Sequence, residues 1–183
     1  MPEKYEMFTH KNLNFGFVVL CHNHDTSLVK LTVRTIHRHY GDEVPIICVA
    51  DDTANTQDMK DLKEICPSYK GKASWSSLIN TGMKRAKAEW NFIVVAGCTV
   101  KNQLDKRFAF FLGSEKDVMF PIAEGHVNFV DSTLNGLFIN KKFYKEVGDM
   151  ATENPLEVCK LMWAADALEK GCTFKAILGA QMI

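Results

Sequence analysis

The chain has no long hydrophobic run. In its 183 residues the longest apolar stretches cover 15–21, 44–50 and 92–100. Each is well short of the ~20 residues that cross a bilayer. The opening MPEKYEMFTHKNLN is polar and mixed in charge, with no apolar signal segment. The expectation is a soluble, non-exported protein of the cytoplasm. Net charge is also missing, since 22 Lys and Arg balance 22 Asp and Glu. The broad positive field of a sequence-blind nucleic-acid binder is therefore not indicated. The six cysteines (Cys21, Cys48, Cys66, Cys98, Cys159 and Cys172) form no CxxC pair. That argues against zinc and for reduced, mostly buried thiols. No repeat, low-complexity tract or Gly/Pro/Ser-rich linker divides the chain. No GxGxxG follows the first β-like run and no GxxxxGK[ST] occurs. A dinucleotide-binding Rossmann site and a P-loop both lose their main support.

What is present is alternation. Residues 15–21 (FGFVVLC) are rich in β-formers and read as a buried strand. Asp25 or Thr26 can cap a helix over 27–40, with Leu28, Leu31, Val33 and Ile36 inward and Gly41 as its stop. A second buried strand over 44–50 ends in Asp51-Asp52-Thr53. A helix over 56–66 carries Met59, Leu62 and Ile65 and stops before Pro67. The spacing predicts a further helix over 76–88, with Leu78, Met83 and Ala86 inward, and a third strong strand over 90–98. This β-α-β-α-(short β)-α-β order implies a mostly parallel sheet covered by helices on both faces. The second half is less regular. Helices are expected at 104–112, 141–147 and 155–170, and short strands at 117–122, 136–139 and 173–178.

In such sheets the ligand crevice lies beyond the carboxyl ends of the strands. Three ends can be read: Cys21-His22-Asn23-His24-Asp25, Asp51-Asp52-Thr53 and Ala96-Gly97-Cys98-Thr99. Each residue there has a plain alternative. Asp51 and Asp52 suit turns and caps. His22 and His24 face the same way on an extended chain and could share a metal, but no third ligand is near in sequence. Trp75 fits either the core or a pocket wall. Gly82 falls within a helix, where it costs roughly 1 kcal/mol against Ala, and a close backbone approach would account for it.

Several segments together resemble the family 2 glycosyltransferases of the GT-A fold. These are residues 18–24 (VVLCHNH), 45–52 (PIICVADD), the Asn80-Thr-Gly82 helix with the strand after Trp90, residues 134–148, and the helix from Pro155 leading to Gly171. The resemblance covers nearly all of residues 1–183. It implies a GT-A-like (Rossmann-like) α/β fold in one domain. Residues 15–100 would form the nucleotide-sugar-binding half, and residues 101–183 an irregular acceptor-binding half. It implies transfer of a sugar from a nucleotide-diphosphate donor, a UDP-sugar first, to a hydroxyl acceptor with inversion. Donor contacts would come from His22, Asn23, Asp51, Asp52, Asn80, Gly82 and Gly97. Glu153 and Glu157 flank the place of the base, Asn154-Pro155, with Asp131 in reserve.

The departures are specific. The family's Asp-x-Asp metal motif is replaced by Ala96-Gly97-Cys98, which offers no hard oxygen ligand for Mg²⁺ or Mn²⁺. No metal ligand is therefore assigned. Lys101, Lys106 and Arg107 follow that place, either as a solvated face or as positive charge for a leaving diphosphate. The competing reading is an inactive nucleotide-sugar-binding or scaffolding protein on the same fold.

Overall fold

A computed structural model describes residues 13–22, 26–101, 103–122 and 128–178. The elements run β1 (Phe15–Cys21), α1 (Ser27–Tyr40), β2 (Ile46–Asp51), α2 (Thr56–Ile65), β3 (Ser68–Gly71), α3 (Trp75–Arg85) and β4 (Trp90–Val95). They continue with α4 (Leu104–Phe111), β5 (Asp117–Pro121), β6 (Leu137–Asn140), α5 (Lys141–Val147), α6 (Leu156–Glu169) and β7 (Thr173–Ile177). The strands form one seven-stranded sheet in the order β3-β2-β1-β4-β6-β5-β7.

Strands β1, β2, β3 and β4 are mutually parallel. Strand β6 is antiparallel to both β4 and β5, while β5 and β7 are parallel. All strands except β6 therefore point their carboxyl ends to the same side. The turn at 128–135 and the N-termini of α1, α3 and α6 face that side too. The α/β class and mostly parallel sheet expected from the sequence are the ones observed. Among the described residues, no helix is long and apolar enough to cross a membrane.

Two apolar clusters cover the sheet. One face packs α1, α2 and α4 around Phe17, Phe92, Phe108 and Phe138. The other packs α3, α5 and α6 around Val18, Leu78, Ile93, Tyr144 and Trp163. The buried strands explain their near-continuous apolar sequences, since both faces are covered. The inward face of α1 differs from expectation. Val29, Thr32, Val33 and Ile36 are buried, whereas Leu31 is 44% exposed. Helix α3 ends at Arg85, three residues before the expected stop, and its cap Ala86 is extended. All six cysteines are buried, as expected, and none is joined in a disulfide among the described residues.

Gly82 has a physical reason. A Cβ built there would sit 2.3 Å from Val18 Cγ1 of β1, so α3 lies nearly in backbone contact with the sheet. Val18 is short and branched and cannot swing aside. Gly82→Ala should therefore overpack the interface and cost about 1–3 kcal/mol. Thermal unfolding followed by circular dichroism should register roughly 2–4 °C of lost Tm per kcal/mol for a chain of this size. An unchanged Tm would show that α3 can lift without cost.

Candidate functional site

The carboxyl ends of β1 and β2 bring His22 and Asp51 together. Asp51 closes β2, is 2% exposed, and places Oδ2 3.0 Å from His22 Nδ1. Its Oδ1 accepts from the Thr53 backbone N–H at 3.1 Å and from the Thr53 hydroxyl. Asp51 therefore orients its own turn as well as the imidazole. Trp75, the first residue of α3, sets its ring edge-on to His22 with centroids 4.9 Å apart. Asp52 follows on the exposed side of the turn. A buried carboxylate, an imidazole and an indole thus meet at the mouth of the sheet. Together they offer a strong acceptor and a flat apolar wall, suited to a hydroxyl- and N–H-bearing ring. Asn23 and His24 lie outside the described residues.

The end of β4 is held by α1. The Thr32 hydroxyl accepts from Gly97 N–H at 2.9 Å and donates to the Cys98 carbonyl at 3.0 Å. Gly97 has φ +96°, a conformation that favours glycine, and its missing Cβ would meet Leu28 Cδ1 at 3.0 Å. Farther along, Thr35 accepts from Val100 N–H, and the Tyr40 hydroxyl donates to Lys101 O and accepts from Leu104 N–H. Tyr40 packs on Phe15, the first residue of β1. The chain after Gly97 is therefore carried along α1 toward the amino end of the sheet. Lys101 travels with it, away from His22 and Asp51. Arg107 donates to the Leu178 carbonyl at 3.3 Å, and Lys106 is exposed on α4. These three cations are not gathered at the crevice.

Residues 96–98 place backbone, a methyl group and a buried thiol where hard oxygen ligands would be needed. Burial pushes the Cys98 thiol up to about 11, so it is a neutral thiol at pH 7 and a poor partner for Mg²⁺ or Mn²⁺. Among the described residues, no group of three His, Cys, Asp or Glu could hold a metal ion. Among the described residues, the donor set at this strand end does not fit such an ion.

Asn80 and Gly82 stand apart from this mouth. Gly82 packs on the middle of β1. The Asn80 carboxamide is 7% exposed, donates to the Met150 carbonyl at 2.8 Å, and accepts from Met150 N–H at 2.9 Å and from the Tyr144 hydroxyl. It ties α3 to the segment after α5. Burial raises the Tyr144 hydroxyl far above the ordinary phenol range, so it remains a donor. Glu153 lies in an exposed turn, and Glu157 is exposed in the first turn of α6. Both are on the crevice side of the sheet.

The 128–135 turn before β6 brings further residues to this side. Asn135 accepts the Val95 backbone N–H at 2.7 Å, sealing the end of β4. Lys160 of α6 is buried and donates to Ser132. A signal for Lys160 was present: it falls in one helical stripe with Trp163, Ala164 and Ala167, all buried.

No protein-family model matches the chain, and no curated protein matches it in sequence. Solved structures do. A mannosyltransferase from Pyrobaculum calidifontis, in complex with GDP-Man and Mn²⁺, superposes with a TM-score of 0.68 at 10% identity. That match covers 93% of this chain and 58% of the mannosyltransferase. TarS from S. aureus superposes with a TM-score of 0.64 at 11% identity, covering 93% of this chain and 36% of that one. The chain thus spans less than two thirds of either structure. At these identities the likeness shows a shared fold.

Asn80→Ala would leave a buried hydroxyl, N–H and carbonyl without their partner, each worth roughly 1–3 kcal/mol. The expected outcome is a loss of at least about 2 kcal/mol in urea unfolding, and a variant of full stability would show that these groups find other partners.

Proposed function

We propose that the chain binds a nucleotide-diphosphate sugar across the carboxyl ends of β1, β2 and β4 and transfers the sugar to a hydroxyl acceptor with inversion. The observation that carries this is the His22–Asp51–Trp75 group at the mouth of a glycosyltransferase-type sheet. Asp51 would accept from the donor's base or ribose, Asp52 would add an exposed acceptor beside it, and Trp75 would supply an apolar wall. Residues 15–100 would then hold the donor, and 101–183 the acceptor. The family 2 resemblance, with a degenerate metal motif, belongs to the same reading.

Inversion needs one group to take the acceptor proton as its oxygen bonds to the sugar carbon and the diphosphate leaves with the bonding pair. Glu153 and Glu157 stand in the acceptor half for that step. The leaving charge needs positive neighbours. The N-termini of α1 and α3 open onto the crevice and favour anions through their backbone N–H groups. A UDP-sugar remains the first donor to test. GDP-mannose is the second, because it is bound in the Pyrobaculum calidifontis structure.

The absence of any carboxylate at residues 96–98 supports a second reading, in which the protein binds a nucleotide sugar without turning it over. One experiment separates them: calorimetry with UDP- and GDP-sugars, with Mn²⁺ or EDTA, followed by assay of sugar release or transfer. Binding with release or transfer supports the enzyme. Binding without turnover across many acceptors supports the second reading, and no binding overturns both.

The Asp51→Ala, Asp52→Ala double variant should abolish donor binding while staying folded by circular dichroism. Undiminished affinity would overturn the donor site. If one glutamate is the base, its Gln variant should keep donor affinity and lose transfer by about 10² or more. Full transfer in both Glu153→Gln and Glu157→Gln would move the role to Asp131.

A further inference from the structure

Lysine is almost never fully buried without a paired charge. Lys160 is 1% exposed, and among the described residues no carboxylate lies within 4.0 Å of its ammonium. The ammonium donates to the Ser132 carbonyl at 2.7 Å and to the Ser132 hydroxyl at 3.1 Å, and it lies 4.8 Å from the centre of the Phe129 ring. All three contacts belong to one turn, which runs from Asn128 to Asn135. Its far end is fastened to β4 through Asn135. Phe129 and Leu134 anchor it in the apolar cluster beneath. The turn therefore spans the crevice side of the sheet between the end of β4 and the first turns of α6.

The fold does not require a charge at this position. A methionine would fill the same volume without desolvating an ammonium, and such replacements of buried charges are often neutral or stabilising. We infer that Lys160 is a positioning residue for the acceptor side of the crevice, holding the 128–135 turn against α6 as the wall that an acceptor meets. The acceptor role rests on the proposed glycosyl transfer; the clamp itself does not.

The clamp has a pH signature. Burial holds the Lys160 ammonium down to about 8. Glu157 on its own helix and Asp131 on the turn pull it upward. Tyr144 of α5 meets α6 one turn on, stacked on Trp163. If the turn opens and Lys160 reaches water, its pKa returns toward 10.5. Between those values the closed turn binds fewer protons than the open one. Closing is therefore favoured as pH rises through about 8 and is opposed below it.

Amide hydrogen exchange on the full chain tests this, with rates corrected to protection factors between about pH 7 and pH 9.5. In the wild type, protection over 128–135 should rise about thirtyfold across that range. In Lys160→Met it should be flat, and about thirtyfold below wild type at the upper end. A lysine that merely fills space predicts protection at the upper end that is no lower in Lys160→Met than in wild type, and that result overturns the clamp. A flat wild-type profile overturns it too, even if the variant does not fold, because opening the turn would then not release Lys160 to water. Calorimetry with UDP and GDP should give the same affinity in Lys160→Met and wild type. A tenfold loss would place Lys160 on the donor side and overturn the acceptor role. If wild type binds neither nucleotide, the transfer reading and the acceptor role fall together, while exchange still decides the clamp.

Discussion

Helix α3 approaches β1 so closely that only a hydrogen fits at Gly82, where a Cβ would stand 2.3 Å from Val18. Much of the molecule is built outward from that contact. It sets the height of α3 over the sheet, and so the height of Trp75 at one end of the helix, where the indole meets His22. It also sets Asn80, whose carboxamide grips Met150 and Tyr144. From there the connection continues. Tyr144 stacks on Trp163, Trp163 donates to the Gly148 carbonyl, and α6 carries Lys160 to the crevice turn. The donor and acceptor sides of the proposed site thus share one rigid reference, the spacing between α3 and β1.

The segment after β4 illustrates a different economy. Where a metal-binding sheet end would present carboxylates, this chain presents Gly97 in a left-handed conformation against Leu28, with its N–H and the next carbonyl satisfied by one threonine of α1. Thr35 and Tyr40 repeat the device farther along. Polar backbone in a covered loop needs partners. Helix α1 supplies them with hydroxyls, which makes its inward face half polar. The same feature explains why Leu31 is turned outward while Thr32 is buried.

That trade marks the limit of reading from residues alone. Strands β1, β2 and β4 were legible because both of their faces are covered and their sequences are unbroken apolar runs. Gly82 was legible as an anomaly, a costly residue in a helix that needed a close approach to explain it. Thr32 was not, because a threonine beside a valine in a helix gives no sign that its hydroxyl will serve a loop 65 positions away. The partners of the Asn80 carboxamide are 64 and 70 positions along the chain, beyond any local pattern. A lysine is ordinarily counted to the solvent face, and only the place of Lys160 in the stripe of Trp163, Ala164 and Ala167 says otherwise.

The position of β6 has a consequence for synthesis. This strand is late in sequence yet lies in the interior of the sheet, pairing Trp90 with Asn140 and Ile93 with Leu137. A nascent chain that has emerged only through Val100 can pair β1, β2, β3 and β4, but the outer rim of β4 remains an open template of Asn91, Ile93 and Val95 backbone. Open apolar rims of this kind recruit other strands, and ribosomes deliver residues at only about 5–20 per second. Some forty residues must still appear before Asn140 can close the rim, so for roughly 2–8 seconds this protein is most exposed to misassociation during translation rather than after release.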